Sequence, residues 1–423
     1  MDLHVSGSQL CGRVAMPASK SHTIRAAAIA ALAGGRSTLV RPLASADTDA
    51  ALRTVTALGA RVEPHGDAVD VHGVDGRPRP GGAIDVANSG TTLRVMSAVA
   101  ALAAGTTHLT GDAQIQSRPI APLLDALTQL GAEAVSDRHN GCAPVTITGP
   151  MRGGRCQIEC RTSQYLTALL IGCPLAPGDT HIDVTLLNER PYVSMTLDWL
   201  DRQGIEYSHT DLMEFDIPGG QSYRPFERVV PADFSSATFF LCAAAVTGSE
   251  IALLGLDFDD PQGDRAVVDY LRQMGAQIDI DGLELNIRGG PLAGGYFDLN
   301  ATPDALPAMA VTACFAQGET VLANVPQARI KETDRIAVMA LELGKMGARV
   351  EQLEDGLVIT GSPLTGARVG GHGDHRVVMA LAVAGLAAQG ETTIDTAESM
   401  AVTFPDFVEL MVSLGAEMKT SGA

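Results

Sequence analysis

One unit recurs six times along the chain, and a fold that does not repeat with it is excluded. Six helical stretches end in glycine, at Gly59, Gly131, Gly204, Gly275, Gly347 and Gly415, about 70 residues apart. Their surroundings are alike: TALGARVE, TQLGAEAV, DRQGIEYS, RQMGAQID, GKMGARVE and VSLGAEMK. A glycine just past the last turn supplies a left-handed helix cap, and the alternating residues that follow read as a strand. Each unit has a second helix, rich in alanine and apolar nearly all round. These helices set out from polar clusters: SKSHTIR at 19, NSGTT at 88, RTSQ at 161, ADFSS at 232, TPDA at 302 and GDHR at 373. After each comes a glycine and a strand-like run, as in GGRSTLV and GSEIALL. The predicted unit is strand, buried helix, strand, amphipathic helix, strand, strand. Three units make a domain and six make two. Repeat boundaries near Pro17 and Pro231 divide the chain into an N-terminal lobe, 19–230, and a C-terminal lobe made of 1–18 and 231–423.

A helix that is apolar on every side must be buried. Its polar residues are then confined to its ends, and here they collect at the N-termini. Capping accounts for most of the Ser, Thr and Asp residues there. It does not account for Lys20, Arg25, Arg94, His375 and Arg376. A cation at the positive end of a helix dipole is unfavourable without a neighbouring anion. If the six ends converge, they form an anion site without a metal.

That inference matters because the chain as a whole is acidic. Its formal net charge is −19, which argues against non-specific nucleic-acid or anionic-membrane binding. Anionic substrates would need a local positive pocket against that background. The N-terminus, MDLHVSGSQLCGRV, has neither the basic nor the apolar region of a signal peptide, and no apolar run is long enough to span a bilayer. The 7 cysteines form no CxxC pair; Cys156 and Cys160 fall on one face of a strand and read as core thiols. A soluble, cytoplasmic protein is expected.

The densest charge cluster is RIKETDR, Arg329 to Arg335. A helical pattern follows it, and Thr333 with its charged neighbours suits a first turn. Of the 30 basic residues only Lys20, Lys331, Lys345 and Lys419 are lysine. Lysine kept inside this cluster points to proton transfer or a phosphate contact, for which arginine is a poor replacement. Other candidates are Gly90, where backbone could approach a ligand, and Arg118, held before Pro119 at an extended-to-helix junction. Thr162, Ser163 and Gln164 offer neutral donors, Arg190 and Tyr192 lie nearby in sequence, and Asp304 heads an apolar helix. GGHGDHRVV looks like a metal loop, but Arg376 would repel a cation and no suitable fourth ligand is evident. No metal and no cofactor are expected.

Taken in order, SKSxxxR, NSGTT, the Gly-Asp segment ending in RPI, TSQ, RPY, PDA, KETDR, DHR and TFPDF resemble the 5-enolpyruvylshikimate-3-phosphate synthase family over essentially the whole chain. The resemblance implies two inside-out α/β barrel domains, each of three βαβαββ units, closing on substrate. It implies transfer of the enolpyruvyl group of phosphoenolpyruvate to the 5-hydroxyl of shikimate 3-phosphate, by a monomer. By the same resemblance, shikimate 3-phosphate is held by Lys20, Ser21, Arg25, Thr162, Ser163, Gln164, Arg190, Tyr192, Asp304, Gln327 and Lys331. Phosphoenolpyruvate is held by Lys20, Gly90, Arg118, Gln164, Arg335 and Arg376. Asp304, Glu332 and Lys20 are the catalytic candidates. The chain departs from the common pattern at Glu189, where many members have Ser, at Gln327 (Asn), at Val402 (Lys) and at Val95 (Pro). Two other readings are a UDP-N-acetylglucosamine enolpyruvyl transferase and a non-catalytic metabolite-binding relative. The first family has a reactive Cys in the segment corresponding to 111–118, which here contains none; the second would not need Lys20, Asp304, Glu332, Arg335 and Arg376 together.

Overall fold

The computed structural model describes residues 1–422. They form two compact units, Ala18–Val230 and Met1–Pro17 joined with the chain from Pro231 onward. Each unit contains three four-stranded sheets, and all six sheets share one strand order. In the sheet Gly82–Asp85, Thr106–Thr110, Val145–Thr148, Glu133–Ser136, the first pair is parallel and the other two are antiparallel. A parallel pair needs a crossover, and a core helix provides it; here that helix is Gly90–Ala100. All six sheets are open. The barrel expected from the resemblance therefore corresponds to no closed sheet among the described residues.

The six core helices are Lys20–Leu32, Gly90–Ala100, Gln164–Gly172, Phe234–Thr247, Leu306–Cys314 and His375–Ala387. Every residue of Gly90–Ala100 and of Leu306–Cys314 is buried. In the C-terminal unit the three core helices pack on one another; in the N-terminal unit Gly90–Ala100 packs on both of its counterparts. Small residues permit that closeness. A Cβ added at Gly385, in His375–Ala387, would lie 2.9 Å from Val5 Cβ on the strand Asp2–Ser6. In each repeat an amphipathic helix follows the strand that comes after the core helix. The six repeat glycines after them all have positive φ, as a left-handed cap requires.

The predicted strand order runs unbroken in the second, third and fifth repeats. The others borrow strands. Glu227–Val229 directly precedes the fourth core helix, yet it pairs with Arg36–Val40 in the first repeat. Cys11–Ala15 precedes the first core helix, yet it pairs with Glu250–Leu254 in the fourth. Asp2–Ser6 stands between Thr392–Ile394 and Glu417–Ser421 and completes the sixth sheet. Strands with the same alternation fit either edge, so periodicity alone does not choose between them.

Two helix starts also differ from expectation. The helix after KETDR begins at Arg335, and its cap is Asp334, whose side chain accepts from Ala337 N. Thr333 instead donates to Asp374 Oδ2, at 3.0 Å. Asp304 lies in the short 3-10 turn Pro303–Ala305 and makes no capping bond.

Candidate active site

In the N-terminal unit the core helices meet at their N-terminal ends. Ser19 caps the first, accepting from His22 N, and leaves Lys20 at its head. Lys20 Nζ lies 3.0 Å from Asp47 Oδ2. Asp47 is buried in the first turn of Ala46–Ala57, and its second oxygen has no hydrogen-bond partner. One turn on, buried Arg25 donates to Thr196 Oγ1, Thr167 Oγ1 and the carbonyls of Ser21 and Tyr192, at 2.8–3.2 Å. The guanidinium is thereby held on hydroxyl and backbone oxygens, and Ser21 and Tyr192 are drawn to it.

The second and third core helices are tied together by Gln164. Its Oε1 accepts from Arg94 Nη1 at 3.0 Å, and its Nε2 donates to Thr91 Oγ1 at 3.2 Å. Arg94 also reaches the carbonyl of Pro119, which brings the Arg118 segment to the same place. Arg118 Nη2 donates to Asn88 Oδ1 at 3.2 Å. A Cβ at Gly90 would lie 2.6 Å from Arg94 Nη1 and 2.8 Å from Arg118 Nη1. Glycine here is what allows two guanidinium groups to lie against one helix start.

Thr162 and Ser163 face Glu189. One oxygen of that carboxylate, Oε2, accepts from Thr162 Oγ1 at 3.0 Å, Ser163 N at 2.9 Å and Ser163 Oγ at 2.7 Å. Arg190 donates to Asp211 Oδ1 at 2.6 Å and to the Asp211 carbonyl.

The C-terminal unit gathers its charges around Asp304. Arg335 Nη1 lies 2.8 Å from it, Arg376 Nη2 3.1 Å, and Lys331 Nζ 3.9 Å. Arg335 is wrapped in carboxylates. Beyond Asp304 it donates to Glu332 Oε2 at 2.6 Å and grips both oxygens of Asp374, at 2.8 and 3.2 Å. Asp374 caps the helix His375–Ala387 through Arg376 N, so one carboxylate fixes both arginines. Behind them Ser235, in the first turn of Phe234–Thr247, donates to Asp264. Asp264 also feels the charges of Asp304 and Arg376.

Its titration follows from burial against charge. Burial opposes ionisation of Asp304, but Arg376, Lys331 and Arg335 outweigh it and hold the carboxyl far below its ordinary range. Asp374 is also lowered: burial resists, and Arg335 prevails. Asp264 goes the other way, pushed up to about 6 by burial and by the negative charge of Asp304. Arg335 is stabilised as a cation, its burial overcome by Asp374, Glu332 and Asp304.

Gln327 is buried and donates through Nε2 to the Asn300 carbonyl at 3.0 Å. Val95 is buried within its helix, and Val402 is the last residue of the 3-10 turn Ala397–Val402, half-buried. The histidines and Asp of GGHGDHR do not converge as ligands: His372 Nε2 meets Glu342 at 2.7 Å, while Asp374 meets Arg335. Sequence reasoning missed Asp47, Asp264 and Glu342. The first two lie in first turns, where an acid is ordinary, and Glu342 lies between apolar residues of its helix. Glu342 is in fact fully buried, receiving Lys345, His372 and Gly370 N.

A family profile described as EPSP synthase (3-phosphoshikimate 1-carboxyvinyltransferase) matches residues 5–411. A 3-phosphoshikimate 1-carboxyvinyltransferase of Acetivibrio thermocellus is 54% identical, over 99% of this chain and 100% of its own. One from Ruminiclostridium cellulolyticum is 51% identical, again over 99% and 100%. Among solved structures, an EPSP synthase of Acinetobacter baumannii superposes with a TM-score of 0.82 at 28% identity, covering 100% of both chains.

Proposed function

This chain belongs to the EPSP synthase family, and from that premise we propose how its residues divide the family's reaction. It is a 3-phosphoshikimate 1-carboxyvinyltransferase with the two-domain inside-out α/β fold. The enolpyruvyl group of phosphoenolpyruvate passes to the 5-hydroxyl of shikimate 3-phosphate, and phosphate leaves. This is a step of aromatic amino-acid biosynthesis.

In our reading the N-terminal lobe, 19–230, is the shikimate 3-phosphate side. Lys20, Ser21, Arg25, Thr162, Ser163, Gln164, Arg190 and Tyr192 bind that substrate, with Asp304, Gln327 and Lys331 from the other lobe. Phosphoenolpyruvate is bound by Lys20, Gly90, Arg118, Gln164, Arg335 and Arg376. The lobe of 1–18 and 231–423 carries Asp304 and Glu332, which share the proton transfers with Lys20.

The reaction has two halves. In the addition, the 5-hydroxyl loses its proton to a carboxylate, its oxygen bonds to C2 of phosphoenolpyruvate, and C3 gains a proton. In the elimination, C3 gives that proton back as the C2–O bond to phosphate breaks. Each half needs a base and an acid within reach of the reacting atoms. The observation that carries the reading is the contact set of Asp304. Its cation partners Arg335 and Arg376 are the groups assigned to phosphoenolpyruvate. While they hold Asp304, its low proton affinity makes it a weak base. When the substrate's carboxylate and phosphate take those guanidinium groups, the positive field on Asp304 weakens and its basicity rises. The base is thus activated by the arrival of the substrate it serves.

Phosphate release tests this reading. Release is expected only with both shikimate 3-phosphate and phosphoenolpyruvate present, and not with UDP-N-acetylglucosamine in place of the first. Glu332→Gln is expected to bind both substrates and lose about a hundredfold or more in turnover; near-normal turnover would remove Glu332 from the chemistry. We also place the enzyme in the cytoplasm as a monomer. Seven free cysteines suit a reducing compartment, and sedimentation of the purified enzyme reads its state.

A further inference from the structure

We infer that Glu189 is a built-in occupant of the anion cradle at Thr162 and Ser163, and that shikimate 3-phosphate binds by displacing it. The inference rests on the assignment of Thr162 and Ser163 to that substrate.

A hydroxyl has one hydrogen to donate, and so has a backbone amide. Thr162 Oγ1, Ser163 Oγ and Ser163 N all direct theirs to Glu189 Oε2. A phosphoryl oxygen drawn to the same donors cannot share them; one anion must leave. Charge enforces the same exclusion. Glu189 is only 2% exposed, and in so dry a place a carboxylate and a phosphate within hydrogen-bond reach of one set of donors repel strongly.

The location explains why a carboxylate settles there. Ser163 heads the helix Gln164–Gly172 and makes no side-chain cap of its own. The carboxylate of Glu189 takes the place of a cap at that electropositive end. It comes from a residue that could have capped a different helix. Glu189 occupies the cap position of Arg190–Gln203, but its side chain makes no capping hydrogen bond there. Its φ of 60° lies in the left-handed region, which is unfavourable for a residue with a Cβ. The backbone adopts this conformation and the side chain is directed across to Thr162 and Ser163.

A resident anion makes the cradle selective. A neutral polyol gains nothing by entering, and a small free anion lacks the additional contacts needed to expel the carboxylate. A ligand that joins a phosphate to a polyol can do so. Glu189 is thus a specificity-determining residue for the phosphate ester.

Titration calorimetry tests this with shikimate 3-phosphate and inorganic phosphate as probes. The proteins are the native enzyme, Glu189→Ser, Glu189→Gln and the double variant Thr162→Val/Ser163→Ala. Glu189→Ser is expected to bind shikimate 3-phosphate about tenfold more tightly and to acquire measurable phosphate binding, since a charged hydrogen-bonded competitor is gone. Glu189→Gln should fall between, because its neutral amide oxygen still accepts. The gain should appear in KM for shikimate 3-phosphate, with KM for phosphoenolpyruvate moving less. If both Glu189 variants fold and bind shikimate 3-phosphate no better than the native enzyme, while the double variant binds it worse, Glu189 is a fixed structural cap and displacement is overturned. If the double variant binds as tightly as the native enzyme, the assignment of the cradle fails, and displacement fails with it.

Discussion

Arg25 and Arg335 are both buried, and both lie at the polar ends of a three-helix core, yet they are held differently. The four bonds described for Arg25 end on two threonine hydroxyls and two carbonyls. Those described for Arg335 end on three carboxylates. Neutral acceptors orient a guanidinium without cancelling its charge, so an arriving anion still feels it. Carboxylates orient it and cancel it, so an arriving anion has to compete. The first kind of contact fixes where a guanidinium points. The second suits a residue whose release alters its neighbours, here the proton affinity of Asp304.

Removing one partner on each side separates the two arrangements. Asp374→Asn strips the two-oxygen grip from Arg335 and leaves buried charge unbalanced; a loss of about 3–5 kcal/mol in urea unfolding is expected. Arg25→Met takes the donor from the Thr167 and Thr196 hydroxyls, and about 1–3 kcal/mol is expected from the same measurement. Equal losses would show that the kind of acceptor does not matter.

A smaller effect is expected from Gly90→Ala. The new methyl would press on the ends of Arg94 and Arg118, which are flexible, so stability should change by less than about 1 kcal/mol. KM for phosphoenolpyruvate should rise about tenfold, because a misplaced guanidinium loses a charge-assisted bond. Unchanged KM would remove Arg118 from that substrate's site.

The smallest effect concerns pH, and it belongs to the carboxylate side. Asp304 and Asp374 have lowered values in the fold. Their stabilisation is therefore present above the ordinary 3.8 and lost as pH falls below it. Asp264 is raised from 3.8 to about 6. Its protonated form is favoured by the fold, so its contribution is complete below 3.8 and disappears as pH rises through about 6. Asp264→Asn, which keeps a neutral side chain at every pH, should flatten Tm between pH 4 and pH 7. A Tm profile that keeps its slope in that variant would assign the slope to another group.

Much of this is legible in the amino-acid sequence. The repeat glycines all take the left-handed conformation that the sequence implied, and the alanine-rich helices are buried as their unbroken apolarity required. Cys156 and Cys160 are both buried on one strand, as their spacing indicated. The misreadings share a form. Thr333 suits a first turn, yet the helix begins at Arg335 with Asp334 as its cap, and Glu342 lies between apolar residues of its helix although it anchors His372. In both cases the deciding partner, Asp374 or His372, lies about 30 to 40 residues away along the chain.

Local order in the chain determined which faces are buried, where helices stop and how many times the unit repeats, because burial and capping depend on neighbours within a few residues. Tertiary packing decided which sheet receives Cys11–Ala15 and Glu227–Val229, which acids surround Arg335, and that Glu189 reaches Thr162 and Ser163. Strand edges and ionic groups accept many partners of equal chemistry. Only the arrangement that buries all of the core helices at once selects among them.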